Sequence, residues 1–170
     1  MTDIPVSLRD GIAAQFHAAL EMLRKAIELC PEPLWLAAPG HSPNLTWHIV
    51  YHALFYTHFY MAPSDAEFVA WELHRPDYNF LGEIPFKPGL RPQPGQPYTP
   101  AETIGYLNFC HWEVDRRTAE FDPEAPSGFS WLPFNKLQLQ FYSLRHLAHH
   151  TGQLAERLRS QTNLGVPWAR

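Results

Sequence analysis

A chain of 170 residues is long enough for one domain whose core needs no covalent staple, and its two cysteines set no disulfide framework. A net charge of -4, without any block of lysine or arginine, excludes the phosphate-neutralising surface of a nucleic-acid-binding protein. The unusual features are 10 histidines against 13 lysines and arginines, and 17 prolines gathered in connections rather than in periodic segments.

The opening Met-Thr-Asp-Ile-Pro lacks the basic stretch and apolar run of a secretory signal, so the cytoplasm is the expected compartment. From Ser7 to Cys30 the residues Leu8, Ile12, Phe16, Leu20, Leu23 and Ile27 recur at helical spacing, and Pro31 and Pro33 end the pattern, which predicts a first helix. Ser42-Pro43 reads as a capping residue followed by proline at the first helical position. The pattern then runs through Trp47, Tyr51 and Phe55 to Met61 before Pro63, a second helix. Its apolar character suggests a membrane span, but His48, His52 and His58 make insertion costly, and none is expected.

The next thirty-odd residues are rich in proline and aromatics (Pro76, Tyr78, Phe80, Pro85, Phe86, Pro88, Pro92), with a short helix expected near Ser64 to Leu73. Thr99-Pro100-Ala101-Glu102 forms a capping box, and Ile104, Leu107, Cys110 and Val114 carry a third helix toward Phe121. A fourth runs from about Phe134 to Ser160 on Leu137, Phe141, Leu144, Leu147, Leu154 and Leu158, and stops near Asn163-Leu164-Gly165. Short links force neighbouring helices antiparallel, whereas the long link between the second and third allows a parallel pair. The expected fold is therefore an all-α four-helix bundle of up-down-down-up order, without a second domain. Cys30 and Cys110 read as reduced core residues, and Arg157-Leu158-Arg159 as a complement to the helix dipole.

The chemistry sits in the fourth helix, in Arg145-His146-Leu147-Ala148-His149-His150-Thr151-Gly152-Gln153-Leu154. Residues four apart share a helix face, so His146 and His150 can hold one ion while His149 points elsewhere. His52 lies on a stripe with Leu45, Ile49, Tyr56 and Phe59 that should face the core, and supplies a third nitrogen, with His48 one turn earlier in reserve. Three imidazoles form the ligand set of an open site, since a fourth position stays free for water or substrate. Leu147 after His146 removes the glutamate base of the H-E-x-x-H metalloproteases. The absence of any E-x-x-H pair excludes a di-iron carboxylate bundle, and no phosphate-cradling glycine loop or G-x-S-x-G elbow occurs. His149, Glu113 and His111 are candidates for a general base, none of them singled out. The aromatics Trp47, Tyr51, Phe55, Tyr56, Phe59 and Tyr60 read as core packing rather than a ligand cage.

The Trp47-His48-Ile49-Val50-Tyr51-His52 segment, the His146-to-Gln153 run and the terminal Gly165-Val166-Pro167-Trp168 resemble the DinB-like superfamily over nearly the whole chain. That superfamily comprises up-down-down-up four-helix bundles that include bacillithiol-dependent transferases and mycothiol-dependent maleylpyruvate isomerase domains. The resemblance implies a divalent ion, nickel or zinc, on His52, His146 and His150. It also implies a small-molecule substrate, often with a low-molecular-weight thiol, and a homodimer. Two functions fit these features: a metal-dependent transferase or hydrolase, and a non-enzymatic metal-binding or stress-associated bundle. Haem ligation by paired histidines is a third.

Overall fold

The computed structural model describes residues 6–40, 42–85, 87–120 and 122–170. The opening pentapeptide, Phe86 and Phe121, to which the sequence patterns extend, lie outside these described residues. The chain is all-helical: α1 (Val6–Leu29), α2 (Glu32–Trp35), α3 (Thr46–Met61), α4 (Pro100–Glu120) and α5 (Lys136–Thr162). Among the described residues no strand forms, only an isolated bridge between Pro126 and Asn135. The four long helices pack around one core, α1 against α4 and α5, and α3 against the same two. No helix among the described residues is long and apolar enough to cross a membrane.

The helix ends follow local chemistry. Thr99 and Glu102 close the expected capping box on α4, the Thr99 amide donating to the Glu102 carboxylate at 2.6 Å. On α5 the cap is Asn135, whose side chain accepts from the Gln138 amide at 2.9 Å, while Gln138 Oε1 accepts from the Asn135 amide at 3.1 Å. The helix ends at Asn163, in the left-handed region at φ 61°, as the Asn-Leu-Gly sequence leads one to expect.

α3 is the central element. Of its 16 residues only His52, Tyr56 and Phe59 are less than fully buried, and these stand at the i, i+4, i+7 spacing of one stripe. Nearly uniform burial explains why the segment resembles a membrane span, because a helix enclosed by protein on every side has no need of a polar face. The crossover 62–99 completes the enclosure. Trp71 stacks on Tyr106 at 4.3 Å between ring centroids, Tyr98 stacks on Tyr51 at 4.5 Å, and the Trp35 indole N–H donates to the Tyr98 carbonyl at 2.9 Å.

Several local expectations are corrected. Proline-flanked Glu32–Trp35 forms one extra helical turn that seats Trp35 in the core. α3 starts at Thr46 rather than at Ser42-Pro43, and its N-cap, Leu45, makes no side-chain cap bond. Ser42 is engaged elsewhere, because Arg157 from α5 donates to its hydroxyl at 2.6 Å, to Thr46 Oγ1 at 2.9 Å and to the Asn44 carbonyl at 3.2 Å. Arg157 is thus a clamp on the entry to α3, not chiefly a partner of its own helix dipole. The Ser64–Leu73 stretch forms turns instead of a helix. Ser64 and Glu67 do exchange capping bonds (3.2 and 2.9 Å), but the chain is then drawn off to pack Phe68 on His58 and Phe59. Cys110 is buried as expected, whereas Cys30 is only half-buried; both are free thiols.

Candidate metal centre

α3 and α5 carry the three histidines to one point. His146 and His150 stand one turn apart on α5 with ring centroids 4.5 Å apart, and His52 reaches across from α3 to 4.9 Å from the first and 4.6 Å from the second. The ligand-capable atoms of the three all lie within 4.8 Å of one another. His146 Nε2 is 3.0 Å from His52 Nε2 and 3.2 Å from His150 Nε2. Two nitrogens bound at about 2.1 Å to one ion are about 3.0 Å apart at a right angle and about 3.4 Å apart at a tetrahedral one, so both spacings suit a shared ion.

The outer nitrogens decide which atoms are free to bind. His52 Nδ1 donates to the Asn79 carbonyl at 2.6 Å, and His150 Nδ1 donates to Gln153 Oε1 at 2.7 Å. Each neutral ring therefore presents Nε2 as a lone pair, aimed at His146. His146 Nε2 carries at most one hydrogen and can satisfy only one of these two lone pairs. Protein groups alone leave the other opposed by a nitrogen, while His146 Nδ1 is buried without a partner among the described residues. A cation at the centre satisfies all three Nε2 atoms at once.

Burial keeps the rings neutral. His52 is pushed down to about 2, first by burial and then by the neighbouring His150 charge. His146 is pushed down to about 4, by burial and then by His150 and His149, and His150 is lowered chiefly by burial. Histidines in the unfolded chain take up protons near pH 6.5, whereas His52 and His146, together with His58 (lowered to about 4 by burial), stay unprotonated in the folded chain until far lower pH. The unfolded state then binds more protons, so stability is full above about pH 6.5 and falls as pH drops toward the folded values. The metal-free protein is expected to unfold cooperatively at about pH 5 in an acid titration followed by far-ultraviolet circular dichroism. An apo-protein that stays folded through pH 4 would contradict this account of the cluster.

His48 does not join the centre; it is turned toward the crossover, its Nε2 donating to the Tyr78 carbonyl at 2.7 Å. His149 is exposed, its ring edge-on to His150 at 4.9 Å. Glu113 is buried between Arg116 (2.7 Å) and Arg117 (3.1 Å), and His111 meets His17 through their Nδ1 atoms at 2.6 Å; neither belongs to the three-histidine cluster. Sequence reasoning missed Tyr56 as a wall, its ring 4.8 Å from His52 and 5.4 Å from His146, and Asn79 as an anchor. Asn79 acts through a backbone carbonyl, which any residue would supply, so only the path of the crossover reveals it. Gln153 had a signal, its place three residues after His150.

Among the described residues no fourth histidine, cysteine or carboxylate joins the three. Beside His150 opens a cavity of about 590 Å³, lined also by Ile49, Gln153, Glu156 and Arg157. Its size is that of a small-molecule site. Comparison with protein-family models, with curated proteins and with solved structures gives no match to this chain.

Proposed function

We propose that this chain is a divalent-metal-dependent enzyme of the DinB-like type, in which His52, His146 and His150 hold nickel or zinc and leave one coordination position free. The observation that carries the reading is the convergence of three Nε2 atoms, two of them fixed as lone pairs through Nδ1, on a point where a proton satisfies only part of the set. The packing of α1 and α3 each against α4 and α5, with the long connection between α3 and α4, supports an up-down-down-up bundle. The cavity beside His150 supports a catalytic rather than a purely structural role, because a structural site closes on a fourth protein ligand.

When bound, the ion would supply Lewis acidity and lower the pKa of a coordinated water or thiol, the chemistry of hydrolysis or of thiol-dependent transfer. The chain's own contribution is preparation. Asn79 and Gln153 fix two rings in the required tautomer, burial keeps all three uncharged, and Tyr56 walls the site on the α3 side. Glu156 lines the cavity and offers a carboxylate where a substrate enters. The substrate is then a small molecule, with a low-molecular-weight thiol as partner, and the protein pairs as a homodimer, which gel filtration would show.

Cobalt substitution tests the free position. The visible spectrum of the cobalt protein is expected to be that of a four- or five-coordinate ion, and added low-molecular-weight thiol should produce a thiolate-to-cobalt charge-transfer band. A spectrum indifferent to thiol and to other small ligands would instead make the ion a closed, structural one.

A further inference from the structure

A second space, about 580 Å³, lies between α3, α4 and residues 68–73 of the crossover, and none of the three centre histidines lines it. Its inner wall holds His58, which is only 5% exposed. Phe68 and Phe109 pack on the His58 ring at 4.8 and 4.9 Å. The Tyr106 hydroxyl has His58 Nδ1 as its sole acceptor among the described residues, at 3.1 Å, so Nδ1 accepts and Nε2 carries the ring hydrogen. That N–H has no hydrogen-bond partner among the described residues.

One end of the cavity is cationic. Arg116 and Arg117 both line it and both bind the single Glu113 carboxylate, so two positive charges share one negative. Arg116 gives Nη2 and Arg117 gives Nε to that carboxylate, and their terminal N–H groups Nη1 of Arg116 and Nη1 and Nη2 of Arg117 have no partner among the described residues. The other acidic side chains at the cavity are Glu102 and Glu72. Glu102 accepts from Thr99 at 2.6 and 2.8 Å and lies 3.9 Å from Arg75; Glu72 is exposed. Apart from these groups the walls are apolar and aromatic, with Phe68, Trp71 and Phe109 prominent.

We propose that this cavity is a second ligand site that binds an aromatic monocarboxylate, the carboxylate on the Arg116/Arg117 end and the ring among Phe68, Trp71 and Phe109. The anion pairs with the guanidinium N–H groups of Arg116 and Arg117 that Glu113 does not engage. The ring fills an apolar space that water would occupy poorly, which is the usual make-up of a small-molecule pocket. The site stands independently of the metal reading, since no residue of the metal centre takes part in it.

Isothermal titration calorimetry with phenylacetate, in the presence of a chelator so that the carboxylate cannot bind an ion, tests the proposal. Saturable one-to-one binding is expected, with the neutral phenylacetamide weaker by about tenfold or more, since a hydrogen bond to a charged group is lost. Gly105 on α4 lines the cavity, and a Cβ there would meet nothing within 4 Å. Gly105→Leu should therefore fill the cavity and cut phenylacetate affinity by about tenfold or more without lowering the melting temperature, because leucine is the better helix former. His58→Leu should also weaken binding, and the glycine variant guards against a folding defect there. No saturable binding to the wild-type chain, equal affinity for acid and amide, or undiminished binding in Gly105→Leu would each overturn the proposal.

Discussion

His146→Ala is expected to lose stoichiometric divalent metal while keeping its fold. His146 is one of only three ligands, its Nε2 lying 3.0 and 3.2 Å from the other two, so its removal leaves two nitrogens where the site offers three. Changes to groups that merely orient metal ligands cost about 10–100-fold in affinity, so deleting a ligand itself should cost more than about a hundredfold. The metal-free variant should be no less stable than the metal-free parent. Alanine favours the helix, and the substitution removes the buried, unpartnered Nδ1 of His146, an atom of the kind that costs about 1–3 kcal/mol. Adding ion should raise the melting temperature of the parent, because a ligand that binds only the folded state stabilises it, and should leave the variant unmoved. Elemental analysis and paired melting curves read both outcomes. A variant that retains one equivalent of metal would refute the assignment of His146.

The second large effect is on folding. Gly128 adopts φ 86°, and a Cβ there would overlap the Pro63 carbonyl oxygen and crowd Ser64 Cα. These are backbone atoms that cannot swing aside. They belong to the segment just after α3, which is tied to the 122–135 connection by the Asp65 amide on the Gly128 carbonyl (3.3 Å) and to the start of α5 by the Lys136 ammonium on the Ala62 and Pro63 carbonyls (3.0 and 2.6 Å). Gly128→Ala therefore combines an unfavourable left-handed backbone with a clash that forces the two segments apart, a cost of about 3 kcal/mol or more. For a chain of this size that is a drop of about 10 °C in melting temperature. Metal stoichiometry should be unchanged, because none of the three ligands lies in either segment. An unaffected melting curve would contradict the close approach.

Much of the centre was legible in the sequence, and the reason is geometric. The i, i+4 relation of His146 and His150 is fixed by the helix itself, and the stripe through Ile49, His52 and Tyr56 marks the face of α3 that meets α5. The choice between His52 and His48 was not legible. Both rings bind backbone carbonyls of the crossover, His48 that of Tyr78 and His52 that of Asn79, and only the path of that segment leaves one Nε2 facing inward and turns the other away.

The misreadings share a cause. Ser42-Pro43 has the chemistry of a helix start, but its hydroxyl is taken by Arg157, 115 residues along the chain. Ser64 to Glu67 has the chemistry of a capped helix, but Phe68 and Trp71 gain more by packing on α3 and α4 than the segment gains from another turn. The His58 cavity carries no local signature at all, because its walls come from three separate stretches of chain.

The most direct test of the central claim is a crystal structure of the metal-loaded protein, with anomalous scattering measured on either side of the nickel and zinc absorption edges. One anomalous peak about 2 Å from the Nε2 atoms of His52, His146 and His150 is the predicted result. Metal-loaded crystals with no peak among these rings, or with the ion held by other side chains, would contradict it.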